Sequence, residues 1–394
     1  MKLFHTCRKH AVIASAITAL AMLVITYLVS NISVAFTEDP EIIEKANALY
    51  TGLTGHEPEP VPDSMLFVNI AYDKQLIPVM DNDGFEMGNI DITDRHALYE
   101  FLNTLAEKPN YKYIFLDVFF DKRFKSEDDK MLFDLISKMP RIVIPHHANA
   151  ELANHKALQK KSAMSDYTTT FFSKIFFKYP FIDNGDYSVA LKMYTDITKN
   201  EISNFGPFYF DNGHLMTKNV FGYQDIMFEE AYDEEGNKNY YNLGADILLD
   251  PTMINTLVKG KYVIIGDFCL NDMHECVQGE ISGPLITANS FISLMNGRHR
   301  VSLIYALLMC CLFFIFAYTI YSEKSLYCLI SRHYPNCLPG KNSTFVKHFI
   351  SFMGYTTILS AITLFSFYKM HIAYDIFITA IIIELLESLS EKFK

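Results

Sequence analysis

An uncharged apolar segment near the N-terminus constrains this chain more than any other feature. Residues 11–30, AVIASAITALAMLVITYLVS, contain no charged side chain and are long enough to cross a bilayer as a helix. Lys2, Arg8 and Lys9 precede this segment, which predicts a cytoplasmic N-terminus. A cleaved signal peptide is the alternative, but the run is long for one and no clear small-x-small cleavage site precedes the acidic TEDPE. We therefore predict that residues 1–35 form a cytoplasmic tip and an uncleaved membrane anchor.

Three further apolar segments lie near the C-terminal end. Residues 301–321 and 348–368 are each long enough to cross a bilayer. Residues 372–388 form a shorter candidate that carries Asp375 and Glu384, and an acid inside a membrane helix is a candidate functional or partner-binding group. Together with the N-terminal anchor, these segments predict about four transmembrane helices.

The charges around these segments predict how the chain is arranged across the membrane. Residues 322–347 contain four basic residues and one acid, which predicts a short cytoplasmic loop. Residues 36–64 are acidic and contain several prolines, which is typical of a linker. Residues 65–299 are then expected to form one domain on the extracytoplasmic side, and residues 300–394 a membrane domain of three helices.

The composition bears on partners and on the core. The net charge of −11, with no basic stripe to offset it, argues against a nucleic-acid partner. Hydrophobic residues make up 50% of the chain, which is enough for a sizeable core besides the membrane helices.

Two cysteines, Cys269 and Cys276, fall on the side of the membrane that we predict to be oxidising. They stand seven positions apart in one loop. This spacing predicts a disulfide between them, and two partly buried thiols are the alternative.

Strand-like apolar runs alternate with helical stripes in the domain. MLFVNIAYD, YKYIFLDVFF, RIVIPHH and GKYVIIGD each resemble a strand that is buried on both faces. Asn212-Gly213 suits a type I′ hairpin turn. The alternation predicts an α/β fold with a mixed, largely parallel sheet flanked by helices. The clearest helical stripe, at spacings i, i+3, i+4 and i+7, consists of Leu98, Phe101, Leu102 and Leu105.

Polar side chains gather where these strands end. In a parallel sheet, ligands bind beyond the carboxyl ends of the strands. Carboxylates with imidazoles suit a divalent metal ion or the polar recognition of a small molecule, so neither a metal nor a cofactor is assigned. A structural hydrogen-bond network is the alternative. The candidate ligand-binding residues are Asp73, Asp117, Asp267, Asp272 and His274, with His146 and His147 at a further strand end.

A series of charged, glycine and small polar residues runs through residues 65–298 and leads directly into an apolar helix. The series consists of Asp73, Arg95, Asp117, Gly260, Lys261, Gly266, Asp272, His274, Gly279, Ala288 and Asn289. Its order resembles the CHASE sensor domains of the second family, which are extracytoplasmic modules of bacterial receptors. Thr287, Cys276 and Asp267 depart from the family's pattern. The resemblance implies a sensor domain in the bacterial inner membrane, although we expect no kinase or cyclase output domain after the spans.

These observations predict a multi-pass receptor-like protein. Its outer domain is expected to bind a signal or partner and to couple to a signalling or membrane protein, and homo-oligomerisation is compatible with this role. Only Arg298, His299 and Arg300 separate the last predicted helix of the domain from the membrane span, which favours residues 264–297 as the coupling element. We favour a non-enzymatic role. The alternatives are a metal-dependent hydrolase that uses the Asp/His cluster and a structural subunit of a membrane assembly.

Overall fold

In the computed structural model, the chain comprises an α/β domain and a group of long apolar helices. The structure describes residues 2–32, 39–54, 58–80, 83, 85–153, 155–169, 174–269, 271–322, 344–370 and 376–392. The loop predicted at 322–347 therefore lies mostly outside the described residues, as does Asp375.

The described helices are numbered in chain order. They are α1 (Lys2–Ser30), α2 (Asp39–Thr54), α3 (Arg95–Glu107), α4 (Asp129–Lys138), α5 (Lys156–Lys161), α6 (Val189–Thr198), α7 (Pro251–Leu257), α8 (Gly283–Met295), α9 (Leu303–Tyr321), α10 (Thr344–Met370) and α11 (Ile376–Lys392). A single π-helical segment, Leu243–Leu248, precedes α7.

The described strands are short and many. They are β1 (Met65–Asn69), β2 (Lys74–Met80), β3 (Glu86–Thr93), β4 (Tyr113–Leu116), β5 (Ile142–His146), β6 (Ser162–Met164), β7 (Thr168–Thr169), β8 (Phe176–Pro180), β9 (Ile182–Asp183), β10 (Asp186–Tyr187), β11 (Ile202–Phe205), β12 (Phe208–Asp211), β13 (His214–Met216), β14 (Asn219–Phe221), β15 (Tyr241–Asn242), β16 (Tyr262–Gly266), β17 (Met273–Cys276) and β18 (Gly279–Ser282).

The main sheet has six strands in the order β15-β1-β16-β4-β5-β6. Every neighbouring pair in it is parallel, which confirms the parallel α/β core predicted from sequence. All residues of β1, β16 and β4 are buried, because helices cover both faces of the sheet. The carboxyl ends of β16, β4, β5 and β6 consequently lie side by side along one edge.

Each face of the sheet packs against its own set of helices. On one face, the predicted stripe of α3 is fully buried against the sheet and α4, since Leu98, Phe101, Leu102 and Leu105 are each 0% exposed. Burying such a side chain stabilises the fold by roughly 1.5–3 kcal/mol. Asp94 begins α3 by accepting hydrogen bonds from the backbone nitrogens of His96 and Ala97. On the other face, α6 and α8 pack on the sheet.

The domain contains a second sheet, of five strands. It has the order β14-β8-β17-β18, with β7 paired to β8, and β17 and β18 form an antiparallel hairpin. A separate three-stranded sheet contains β11, β12 and β13. Its β12–β13 turn has positive φ at both Asn212 (48°) and Gly213 (84°), which confirms the predicted type I′ hairpin.

Three helices are long and apolar enough to cross a membrane, among the residues that the structure describes. They correspond to His10–Ser30 in α1, Leu303–Tyr321 in α9 and Val346–Phe367 in α10. The fourth predicted span, 372–388, is not among these candidates: its first residues lie outside the described part of the chain, and helix α11 is described over 17 residues from Ile376. Polar side chains such as Glu387, which accepts a hydrogen bond from Tyr355 at 2.9 Å, lie between α10 and α11.

Candidate functional site

A cavity of about 360 Å³ opens at the carboxyl ends of the central parallel strands. Asp117 follows β4, His147 follows β5 and Asp166 follows β6, so the sheet brings three polar strand ends together. The β17–β18 hairpin adds Asp272 and His274 from the opposite side. These five residues define the strand-end pocket, which occupies the place where parallel α/β sheets bind ligands.

His274 is held from both sides of its ring. Its Nε2 lies 2.8 Å from Asp272 Oδ1, and its Nδ1 is hydrogen-bonded to the hydroxyl of Tyr167. Pairing of β17 with β18 fixes the register of this histidine opposite Ile281. The result is a continuous Tyr167–His274–Asp272 hydrogen-bond chain along one wall of the pocket.

The first turn of α8 approaches this wall so closely that glycine is required. A Cβ at Gly283 would overlap the carboxylate of Asp272, and a Cβ at Gly266 would overlap the ring of Pro284. The Gly283 nitrogen also donates to the Asp272 carbonyl oxygen at 2.8 Å. The Asp272 carboxylate therefore faces the N-terminus of α8, where the helix dipole favours negative charge.

Asp117 is the pocket carboxylate with the fewest hydrogen-bond partners among the described residues. Burial, and then the negative charge of Asp272, raise the pKa of Asp117 well above its usual range. Its carboxylate accepts no hydrogen bond from any described residue. The side chain lines the cavity, so a bound molecule can supply a partner for it.

A second imidazole–carboxylate pair forms the other wall. His147 Nδ1 lies 2.9 Å from Asp166 Oδ1, and Asp166 Oδ2 accepts from the Ala148 nitrogen at 2.7 Å. The ring of Phe119 packs edge-on against His147 with centroids 5.0 Å apart. This wall is consequently both charged and aromatic.

Three of the five predicted ligand-binding residues, Asp117, Asp272 and His274, meet in the strand-end pocket. The other two do not line it. Asp73 accepts a hydrogen bond from the Gly244 nitrogen at 3.0 Å, and so holds the start of the π-helical segment; burial raises its pKa. Asp267 accepts from the backbone nitrogens of Cys269 and Asn271 at 3.2 and 3.3 Å, and so orders its own loop.

The two consecutive histidines at the end of β5 point to different sides of the sheet. His147 enters the pocket, whereas His146 lies 3.9 Å from Asp186, because neighbouring residues of a strand point to opposite faces. Sequence reasoning missed Asp166 and Tyr167. They directly follow the three-residue strand β6, Ser162–Met164, whose sequence SAM is too short and too mixed to stand out in the irregular middle of the domain.

The predicted Cys269–Cys276 disulfide is not formed in the structure, where both residues are free cysteines. Cys276 is 1% exposed and points into the core at the end of β17. Cys269 lies instead beside Asn69 and Tyr72, with its Sγ 3.5 Å from each polar atom. Burial raises the pKa of the Cys276 thiol to about 11, as expected for an unreactive core cysteine.

Metal ligation was the other interpretation of the Asp/His cluster. Among the described residues, no group of three or more His, Cys, Asp or Glu side chains is placed to hold a metal ion.

A second polar cluster lies where the domain meets the apolar helices. We call Arg298, His299 and Arg300, which connect α8 to α9, the junction. Arg298 makes a two-point ion pair with Asp225, at 2.7 and 3.1 Å. His299 and Arg300 both bond to Asp211 Oδ2, each at 2.8 Å.

The Asp211 carboxylate is the centre of this cluster. It is 0% exposed and also accepts hydrogen bonds from Tyr194 at 2.8 Å and Asn200 at 3.0 Å. Although burial raises the pKa of Asp211, the hydrogen bonds from His299, Tyr194 and Arg300 outweigh it and lower that pKa. Burial conversely lowers the pKa of His299 more than Asp211 raises it.

The backbone also ties the junction and α1 to the domain. The junction pairs with β13 and the residue after it, since Val301 donates to the Leu215 carbonyl at 2.8 Å and Thr217 to the His299 carbonyl at 2.9 Å. On the other side, Tyr27 of α1 donates to the Met216 carbonyl at 2.8 Å. Both apolar helices are thereby anchored on the same short strand.

Comparisons with known proteins found no match: no family model, no curated protein and no solved structure matches this chain.

Proposed function

We propose that this chain is a membrane-anchored receptor of the bacterial inner membrane. The domain at 65–299 would lie on the extracytoplasmic side, bind a small ligand in the strand-end pocket and pass a displacement to its membrane helices. A signalling or membrane protein would read that displacement. The observation that carries this proposal is the placement of α8: its first turn lines the pocket, and its last residues lead into the junction.

Helix α8 offers a short mechanical route. Its 13 residues span about 20 Å at roughly 1.5 Å per residue. Nearly all of the helix is buried against the main sheet, α6 and the hairpin, so it moves as a unit with the pocket wall. Beyond the junction, only Val301 and Ser302 precede α9. A link with so little slack transmits a shift instead of absorbing it.

The acid–base state of the pocket favours binding over covalent chemistry. A nucleophile is activated by a lowered pKa or an adjacent base, and a general base works best with a pKa near the ambient pH. Burial and the charge of Asp272 instead raise the pKa of Tyr167, and Asp117 is pushed toward its neutral form. Neither group is activated as a nucleophile, whereas both can form hydrogen bonds with a ligand.

The proposed orientation in the membrane and the proposed sensory role are supported by the sequence. The basic N-terminus and the basic segment at 322–347 support a cytoplasmic location for both, and the resemblance to second-family CHASE domains supports a sensory role. Single engineered cysteines near residue 235 should react with a membrane-impermeant thiol reagent on intact cells, in a background lacking the native cysteines. Cysteines near residue 340 should react only after lysis, and labelling of them from outside would refute this orientation.

The coupling itself can be tested without knowing the ligand. Thr287 is 2% exposed and lines the pocket, so Thr287→Phe should act as a permanent occupant. Hydrogen exchange of the full chain in nanodiscs should change at residues 298–302 in this variant. The matched control is Met295→Phe, at a 41% exposed position of the same helix and nearer to the junction. Unchanged exchange at 298–302 in Thr287→Phe, or equal changes in both variants, would contradict the receptor proposal.

A further inference from the structure

We infer that the strand-end pocket binds a small organic cation that carries N–H donors, most simply a primary ammonium compound with an apolar or aromatic body. This inference rests on the proposed function only in taking the pocket as a binding site, and it adds the chemical class of the ligand.

The charges that line the pocket favour a cationic ligand. Its lining includes three carboxylates, Asp117, Asp166 and Asp272, and no lysine or arginine among the described residues that line it. Its two histidines, His147 and His274, are each already paired with a carboxylate. The N-terminus of α8 would also attract an anion, but the Asp272 carboxylate already faces it. A bound anion would therefore meet carboxylates with no lysine or arginine in the described lining to offset them.

The hydrogen-bond accounting narrows the class further. Asp166 is occupied by His147 and the Ala148 nitrogen, and Asp272 Oδ1 by His274. The Asp117 carboxylate has no partner among the described residues, and it lines the cavity next to the charge of Asp272. A carboxylate acceptor is left over beside a second negative charge, so a ligand with several N–H groups and a positive charge completes the set.

The remaining walls suit the body of such a ligand. Phe119, Tyr167 and Tyr179 contribute aromatic rings, and Ile286 an apolar surface. Aromatic rings attract an ammonium group over their faces and pack well on apolar carbon. The cavity volume of about 360 Å³ lies near the lower end of the range for ligand pockets, roughly 300–1,000 Å³, which limits the ligand to a small molecule.

Binding of a cation here should be linked to a proton. Next to an ammonium group, Asp117 would ionise and release its proton to solvent, so that binding becomes tighter as the pH rises. One proton released per ligand corresponds to about a tenfold gain in affinity per pH unit while Asp117 is protonated in the free protein. A neutral or anionic ligand would show no such gain.

The experiment uses the full chain in nanodiscs and calorimetric titration with named probes. The cationic probes are tyramine, 1,4-diaminobutane and ethanolamine. The matched controls for tyramine are 4-ethylphenol, which lacks the charge, and 3-(4-hydroxyphenyl)propionate, which reverses it. We expect at least one amine to bind, more tightly at pH 8 than at pH 6, and both control probes to bind at least about tenfold more weakly than tyramine.

Two variants connect this binding to the pocket. Asp117→Asn should weaken amine binding about tenfold or more and remove its pH dependence. Asp186→Asn, at a side chain that is 70% exposed, should leave it unchanged. Asp272→Asn is the second pocket variant, in case one substitution disturbs folding. The inference is overturned if no amine binds, if the neutral or anionic probes bind as well as tyramine, or if Asp117→Asn and Asp272→Asn both bind amines normally.

The outcome is separable from that of the receptor proposal. An amine that binds in the pocket without altering hydrogen exchange at residues 298–302 would uphold the ligand class and refute the coupling. Conversely, a response of the junction to Thr287→Phe with no amine binding would uphold the coupling and refute the ligand class.

Discussion

The strand-end pocket and the junction contain the same residue types, but their central carboxylates differ in the hydrogen bonds that they accept. In the junction, the buried carboxylate of Asp211 accepts hydrogen bonds from four side chains. In the pocket, the carboxylate of Asp117 accepts none from any described residue. A carboxylate whose hydrogen bonds are all made within the protein holds the surrounding structure in place. A carboxylate without such partners can instead accept hydrogen bonds from a ligand.

This difference gives the two regions opposite responses to acid. The pKa of Asp117 is raised, so the folded state binds a proton that the unfolded state has lost, and stability from this group falls as the pH rises above about 4. The pKa of Asp211 and that of His299 are both lowered, so their contributions are present at neutral pH and are lost on acidification. Acidification should therefore stabilise the fold through Asp117 in the pocket and destabilise it through Asp211 and His299 in the junction.

The largest effect is expected from removing the centre of the junction. Asp211→Ala would leave the buried His299 and the inner part of Arg300 without their acceptor, and breaking a buried charge pair costs about 3–5 kcal/mol. The free energy of unfolding of the domain, followed by denaturant titration, should fall by about that amount. The control Asp186→Ala, at an exposed carboxylate, should stay within about 0.5 kcal/mol. Equal effects of the two substitutions would mean that the junction is no more rigid than the surface.

The next effect concerns the contact between α8 and the sheet. A Cβ at Gly266 would overlap the ring of Pro284, so Gly266→Ala should destabilise the domain by about 1–3 kcal/mol through overpacking. It should also displace the first turn of α8 and thereby alter hydrogen exchange around Asp272. Gly52→Ala is the control, because no atom lies within 4 Å of its Cβ position and the residue is inside a helix. A neutral Gly266→Ala would show that α8 is free to shift away from the sheet.

The sequence predicted features that depend on local periodicity better than those that depend on distant contacts. The buried stripe of α3 and the strand after Gly260 follow from spacing alone, and both were predicted. Asp73 and Asp117 both stand near strand ends, yet only Asp117 reaches the pocket, because β4 lies toward β5 and β6 while β1 neighbours β15. The strand order that separates them is set by long-range pairing.

The junction illustrates the same limit. Its length was evident from Gly297 and the apolar run that follows. Its partner Asp211 was not, because it stands 88 positions before His299 and looks like an ordinary hairpin residue. The free Cys269 and Cys276 have a related cause: their spacing allowed a disulfide, but the core around β17 directs Cys276 away from its neighbour.

A smaller effect, of opposite sign, is expected from Asp117→Asn. The amide removes the unfavourable ionisation of a buried carboxylate, so the variant should be more stable than the parent at pH 7.5 by about 0.5–2 kcal/mol. The gain should shrink as the pH is lowered toward 4, where the unfolded parent's carboxyl also begins to bind a proton. Thermal melting at several pH values measures this. A destabilised variant at neutral pH would mean that Asp117 already has a compensating partner.

The smallest effect is the loosening of the junction by mild acid. His299 Nε2 is bonded to Asp211, and its Nδ1 is buried without a hydrogen-bond partner among the described residues. Burial lowers the pKa of His299, and protonating the ring would add a second buried N–H that no described residue accepts. Stability from this group is complete above about pH 6.5 and is lost as the pH falls from there toward the folded pKa, while Asp211 stays ionised.

Hydrogen exchange at residues 298–302, corrected for the intrinsic pH dependence, should therefore be faster at pH 5 than at pH 7.5. His299→Gln, which keeps a donor but does not titrate, should remove most of that difference. If the variant and the parent respond equally to acid, the titrating group lies elsewhere, and the contrast between pocket and junction rests on Asp211 and Asp117 without His299.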